Sequence, residues 1–364
     1  MTTRTVPWAP AGDDARPGPP ARRLPYHRLG HADPAHRWWK PLVELLVFGA
    51  VYVLLSAVLG IVWTLWLIAT RGEGALDELL GDLASLDIMD PALLFMTLLS
   101  VVLMIPAIVV ARLVAGPRPL GLLLSVTGRL RWGFLVRTTL LALAVYAVGH
   151  GLLLVLELVT TGSLQPAAPP EPPAQLWLIV PMIVLLVPLQ CAAEELVFRG
   201  YLLQTVGRWV RSPALAVLLP VPLFTFAHLY DVWGLLAVAA MAVVAGWLSW
   251  RTGGLEAAIG LHVVNNVLAF SLAAAGWADP MPEESTWVSL ASALPLYLVF
   301  AWLVVRDARR RGIEVTRTVP AVPSPAPLPP AGGGPGGPGG WVCPGPPACP
   351  GHWAAPAPAP GPRP

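Results

Sequence analysis

Long apolar runs alternate with short polar connections along most of this chain. Stretches rich in Leu, Val and Ala occupy 42–69, 92–115, 133–158, 176–198, 213–230, 232–250, 254–274 and 287–305. A helix needs about 20 apolar residues to cross the hydrocarbon core of a bilayer. The pattern therefore predicts an all-α, polytopic membrane protein with about eight transmembrane helices. The fifth and sixth runs are joined by almost nothing, which makes them a tight hairpin. Pro220 and Pro222 interrupt the fifth run and free backbone carbonyls that need other partners. The pattern divides the chain into an N-terminal arm at 1–40, a helical domain at 41–311 and a Pro/Gly-rich tail at 312–364. Neither arm nor tail can build a core, and both are expected to be disordered.

Composition agrees with this reading. Hydrophobic residues make up 55% of the chain and charged residues 12%, with a mean hydropathy of +0.65. A soluble domain carries about 25% charged residues, so an ordinary soluble fold is excluded. The net charge of +2 offers no basic surface for a nucleic acid, and none is expected as a partner. Placement of the charges is more informative. Arg22, Arg23, Arg37 and Lys40 precede the first run, and Asp77, Glu78, Asp82, Asp87 and Asp90 follow it. Arg112, Arg118, Arg129, Arg131 and Arg137 surround the next connection, and Arg306, Arg309, Arg310 and Arg311 close the last run. Basic and acidic connections alternate, so the positive-inside rule places both termini in the cytoplasm, in the cell inner (plasma) membrane. The first 40 residues hold no apolar signal-peptide core, so the first span serves as its own insertion signal. Trp38, Trp39, Trp132, Trp177, Trp250 and Trp287 lie near run ends, as an interfacial belt would. Arg replaces Lys nearly everywhere, a composition typical of GC-rich bacterial genomes. Cys191, Cys343 and Cys349 give no disulfide framework, and the last two with His352 lack a fourth metal ligand.

Three polar constellations interrupt the apolar runs. Glu194 and Glu195 stand side by side at the predicted end of the fourth span, followed by Arg199. Glu195 and Arg199 are separated by i,i+4 and share a helix face, which leaves Glu194 about 100° away and facing the bundle interior. A carboxylate in that position can take a proton from water. His228 follows Phe224 by one helical turn in the Pro-interrupted run, and offers a second proton-handling group. His262 and Asn266 share one face of the seventh run, where their N–H groups could stabilise an oxyanion. Each constellation alone has a plain structural reading. Charges can reach the interface, a His can bond a freed carbonyl, and Asn and His can join helices. Asn265 points elsewhere and reads as such a joint. His150, Glu157 and Glu44 have no comparable companions and read as packing or interface residues.

Glu194-Glu195-x-x-x-Arg199, Phe224-x-x-x-His228 and His262-x-x-x-Asn266 together resemble the motifs of the CAAX-protease and bacteriocin-processing (Abi) family of intramembrane endopeptidases. The resemblance covers roughly 181–274. It implies an eight-helix fold, a site reached from the cytoplasm, and a glutamate mechanism with no cofactor and no required metal. It also implies that Glu194 with His228 activates water, that His262 with Asn266 forms the oxyanion hole, and that Glu195 and Arg199 hold the site, with Phe224 in support. The expected partner is a membrane-associated peptide or protein substrate in the lipid bilayer. A zinc site from Glu194, His228 and His262 is the metal alternative, although no His-Glu-x-x-His run is present. The rival from another class is a non-catalytic immunity or regulatory protein that binds another membrane protein. A transporter would call for repeats, and none is seen. With straight helices Glu194 falls at the cytoplasmic end of its span and His228 near the outer end of the next, so the fifth helix must be short, tilted or broken for them to meet.

Overall fold

The computed structural model describes residues 21–72, 74, 81, 89–164, 175–278 and 285–320. The tail with Cys343, Cys349 and His352, residues 1–20 and most of the acidic loop residues lie outside them. The fold is all-α and polytopic. Among the described residues, seven helical segments are long and apolar enough to cross a membrane. They are α1 (Lys40–Arg71), the joined pair α2 (Pro91–Val102) and α3 (Met104–Ala115), α4 (Trp132–Thr161), a long segment containing α5 (Leu176–Glu195) and α6 (Leu203–Trp209), α9 (Val232–Thr252), α10 (Glu256–Ala274) and α11 (Trp287–Arg310). Between α6 and α9 lie two short helices, α7 (Pro213–Leu218) and α8 (Val221–Thr225). The most apolar stretch of α10 is half buried within the protein while that of α1 holds no buried residue, so α10 is the central helix. It packs against α4, α5 and α9. Outward-facing Leu54, Leu152 and Leu185 are typical of the apolar surface the helices turn to lipid.

Local chemistry sets the helix ends. Asp90 accepts hydrogen bonds from the N–H groups of Ala92 and Leu93 with Pro91 in the first turn, a standard N-terminal arrangement. Asp231 caps α9 in the same way through Gly234 N–H. Gly253 ends α9 at φ 73°, where a Cβ would also meet the backbone of Val315 at 2.8 Å.

Two departures from the expected spans decide where the site lies. The acid pair does not end its helix. After Glu195 the chain continues as a π-helical segment, Leu196–Leu202, and then as α6, giving a continuous 34-residue span from Leu176 to Trp209. The polar residues beyond the acid pair are buried and partnered: Arg199 on Glu195, and Gln204 Nε2 on the Leu122 carbonyl at 2.7 Å. With those groups satisfied the helix has no reason to stop, and Glu194 sits near its middle. The second departure is the fifth run. Its helical part is only Pro213–Thr225, broken between α7 and α8 at the prolines, and 226–231 is non-helical. This segment still crosses the bundle. Arg208 and Arg211 at its start meet His31 and His27, while Asp231 at its end accepts from Ser285 N–H in the connection after α10.

The N-terminal arm is ordered from Arg22 onward, contrary to the expectation of disorder through residue 40. Strand β1 (Arg22–Pro25) pairs antiparallel with β2 (Thr316–Val319), and Tyr26–Ala32 forms a 3-10 turn against α6. Leu24, Tyr26 and Leu29 are fully buried there, and Tyr26 Oη donates to the Leu123 carbonyl at 2.6 Å. Arm and early tail each supply half of one small sheet, which neither could form alone. Glu44 is also not the isolated residue expected. It is fully buried and bonds Arg112 at 2.9 Å and Arg208 at 3.5 Å, tying α1, α3 and α6 together. A buried pair broken at one partner costs about 3–5 kcal/mol, so this network fixes how the three helices meet.

Candidate active site

α5 and α10 bring the two best-separated constellations into contact. Glu195, fully buried, accepts from Arg199 Nη1 at 2.9 Å and bonds His262 Nδ1 at 2.9 Å through the same oxygen. A carboxylate on Nδ1 fixes the imidazole so that its proton stays on that nitrogen, leaving Nε2 as the variable position. Nε2 lies 3.4 Å from Glu194 Oε2 and 3.3 Å from Asn266 Nδ2. Asn266 is therefore placed to donate to a neutral His262, and Glu194 to share a proton with it. Glu194 is the less enclosed acid, 9% exposed against 0% for Glu195. The helical division between the two acids is thus realised in space: Glu195 is held by a cation and an imidazole, and Glu194 by His262 alone.

Phe224 joins the third constellation to this cluster. Its ring lies 4.1 Å from the Arg199 guanidinium carbon, edge-on to His262 with centroids 5.9 Å apart, and 4.8 Å from the ring of His228. His228 Nδ1 bonds the Phe224 carbonyl at 2.8 Å, so its neutral form carries the proton there and presents Nε2 as an acceptor. That carbonyl is free because the helix ends at Thr225 and the His228 N–H turns back to Thr225 O at 3.1 Å. No hydrogen bond between His228 and Glu194 is present among the described residues. His228 stands beside the acid cluster with Phe224 between it and His262. The break in the fifth run is what brings it to that depth.

Four residues join the site that the spacing of charges did not mark. Gln190 Oε1 accepts from Asn266 Nδ2 at 3.4 Å and neighbours Cys191, which is buried. Asn265 Nδ2 donates to Asn266 Oδ1 at 3.0 Å, and Asn265 Oδ1 accepts from the Tyr146 hydroxyl at 2.9 Å. Asn265 is thus a joint between α4 and α10, and through its amide a support for Asn266. Tyr230 stacks with His228 at a centroid distance of 6.0 Å, with its phenol in electrostatic reach of Glu194. Gln190 lies one turn before Glu194 on the same face, and that i,i+4 spacing was the available signal. Tyr146 and Tyr230 carry no signal in the sequence. Among the described residues no group of three His, Cys, Asp or Glu side chains comes together in a form that could hold a metal ion.

Residues 174–268 match the family described as type II CAAX prenyl endopeptidase Rce1-like. The site-bearing segment is similar to that family. The match runs from just before α5 into α10 and contains Glu194, Glu195, Arg199, Phe224, His228, His262 and Asn266. A curated relative, the uncharacterized protein YyaK of Bacillus subtilis (strain 168), is 33% identical over 99 residues, covering 25% of this chain. The chain covers about a third of that relative's length, 33%. No solved structure matches the chain. All the side-chain contacts that define the acid cluster fall inside the Rce1-like segment, whereas Tyr146 on α4 and the Glu44 side of the ion-pair network lie outside it.

Proposed function

We propose that this protein is an intramembrane endopeptidase that hydrolyses a peptide bond of a membrane-associated substrate, with Glu194 as the general base. The observation that carries the proposal is the unequal treatment of two adjacent acids. Glu195 is spent on Arg199 and His262, while Glu194, the more open of the two, makes its one ion-pair contact among the described residues with His262 Nε2 at 3.4 Å. A water between Glu194 and the substrate carbonyl would lose its proton to Glu194 as its oxygen attacks carbon. His228 Nε2, unprotonated in the neutral ring, accepts a second hydrogen bond from that water and orients it. The negative charge that develops on the carbonyl oxygen meets Asn266 Nδ2 and His262 Nε2, which shares with Glu194 the one proton taken from the water. Collapse of the tetrahedral species breaks the C–N bond, and the proton taken by Glu194 passes to the leaving amine. Glu195 holds the His262 ring in place through Nδ1, and Arg199 holds Glu195.

The pairing of β1 with β2 supports a multi-pass arrangement with both chain ends on one face, and the Arg excess there supports the cytoplasmic side of the plasma membrane. The relevant experiment uses the full chain purified in detergent and a panel of membrane-proximal peptides. Glu194→Gln should abolish cleavage, a loss of at least about 100-fold for removal of a general base, while the variant still folds. Turnover retained in that variant would sink the proposal. A chelator should leave turnover unchanged; loss restored by added zinc would replace the glutamate mechanism. A cellular phenotype that survives Glu194→Gln and His262→Ala alike would mark the chain as a binding partner of another membrane protein.

A further inference from the structure

The lipid-facing side of the fold carries two grooves of different chemistry. One, about 560 Å³, lies between α4 and α11 and is lined without a single charged residue. The other, about 1060 Å³, lies between α7, α9 and α11. Its walls are apolar, with Val217, Trp247 and Trp302 among them, and its end at the β1–β2 face is closed by Arg306, Arg309 and Arg310. The guanidinium carbon of Arg306 sits 5.4 Å from the ring of Trp302, which holds one cation over the apolar floor. The nearby acid cannot neutralise this cluster. Asp307 is already bonded to Arg137 at 2.7 Å and to Arg311 at 3.1 Å. Among the described residues Arg306, Arg309 and Arg310 have no carboxylate within ion-pair distance.

We propose that this groove is a binding site for one anionic phospholipid, with its acyl chains along α7, α9 and α11 and its phosphate on Arg306, Arg309 and Arg310. An apolar channel capped at the interface by unpaired cations matches the two ends of such a molecule in both polarity and sequence of parts. Basic clusters beside a membrane span attract anionic headgroups at about 1 kcal/mol per Arg, or roughly fivefold in affinity. The neutral groove has no such preference and serves as the internal comparison. The site also touches the proposed chemistry from behind. Val217 lines both this groove and a small void bounded by Arg199 and Phe224, so a bound acyl chain would brace the broken helix that leads to His228.

The test measures lipid retention rather than peptide cleavage, so its outcome is independent of the proposed activity. The full chain is purified in detergent, offered phosphatidylglycerol and phosphatidylcholine at equal concentration, and examined by native mass spectrometry and thermal unfolding. Phosphatidylglycerol should be retained at least about tenfold over phosphatidylcholine, given roughly fivefold per Arg. Arg306→Gln, Arg309→Gln and Arg310→Gln should each lower that ratio about fivefold, and the triple variant should bring it near one. If the triple variant does not fold, the single variants decide. Val244→Trp, which narrows the groove and leaves the arginines in place, should also lower phosphatidylglycerol retention. Equal retention of the two lipids by the parent chain would overturn the site. So would an undiminished preference in the Arg variants, unchanged retention in Val244→Trp, or displacement of the lipid by inorganic phosphate.

Discussion

Glu195 illustrates how one side chain can be indispensable without facing substrate. Its single bonded oxygen holds both Arg199 and His262, and the pair is shut away from solvent. Glu195→Gln would leave a buried guanidinium and an imidazole without their common anion, at a cost of about 3–5 kcal/mol. Its thermal unfolding midpoint in detergent should therefore fall by several degrees, whereas Glu194→Gln should unfold at or above the parent temperature. Equal midpoints for the two variants would contradict the division of roles. Tyr146→Phe removes the hydroxyl that steadies Asn265 and, through it, Asn266. It should lower turnover more than it raises the half-saturating substrate concentration, with the fold intact. The acid division was legible in the sequence because i,i+4 spacing is a property of any helix. Tyr146 was not legible, since a hydroxyl on α4 meets an amide on α10 only once those two helices pack.

At the scale of elements, the broken crossing of α7 and α8 decides whether the third constellation can take part. The sequence required a short, tilted or broken fifth helix, and Pro220 and Pro222 supplied the means. What it misjudged was the neighbouring helix, because the charges at Glu194, Glu195 and Arg199 read as its end. Hydrophobicity alone cannot show that a polar side chain has a buried partner, so a 34-residue helix was read as a shorter one. Replacing both prolines by Ala should restore backbone bonds across the break and withdraw His228 from Phe224. Cleavage should fall sharply while the detergent-purified protein remains helical; full activity would show that the break is dispensable. The 3-10 turn at Tyr26–Ala32 makes a different prediction. Burial, followed by the nearby Arg28 and His36 charges, pushes His31 down to about 4 from its ordinary 6.5, and burial also lowers His27 and His36. The unfolded arm thus binds more protons than the docked one between these values. Docking is fully present above about 6.5 and weakens as pH falls toward about 4. Proteolysis of the arm should accelerate over that interval, and His31→Gln should flatten the dependence.

Across the whole molecule, the sheet of β1 and β2 joins the beginning and the end of the helical unit on one face. Single cysteines placed at Ala21 and Pro320 should share the same accessibility to an impermeant thiol reagent in cells, opposite to one placed at Ser285. Labelling of Ala21 and Pro320 from different sides would contradict the arrangement. Glu44→Gln should lower the unfolding midpoint without touching the acid cluster, since Arg112 and Arg208 would share no anion. The eight-run pattern and all-α class were legible throughout the chain. The closure of its ends was not, because a four-residue strand has no periodicity to detect and its partner lies nearly 300 positions away. The π-helical segment Leu196–Leu202 has a consequence for evolution and engineering alike. Such a segment amounts to one extra residue in a helix, and each residue of an α-helix turns about 100°. The half of the helix before it is phased to present Glu194 and Glu195 to α10, and the half after it to present Gln204 and Arg208 to α1 and α3. Deleting one residue between 200 and 202 would preserve every motif in the sequence and yet rotate one half out of register with the other. The protein can lose its site by a change of phase, with no reactive group replaced.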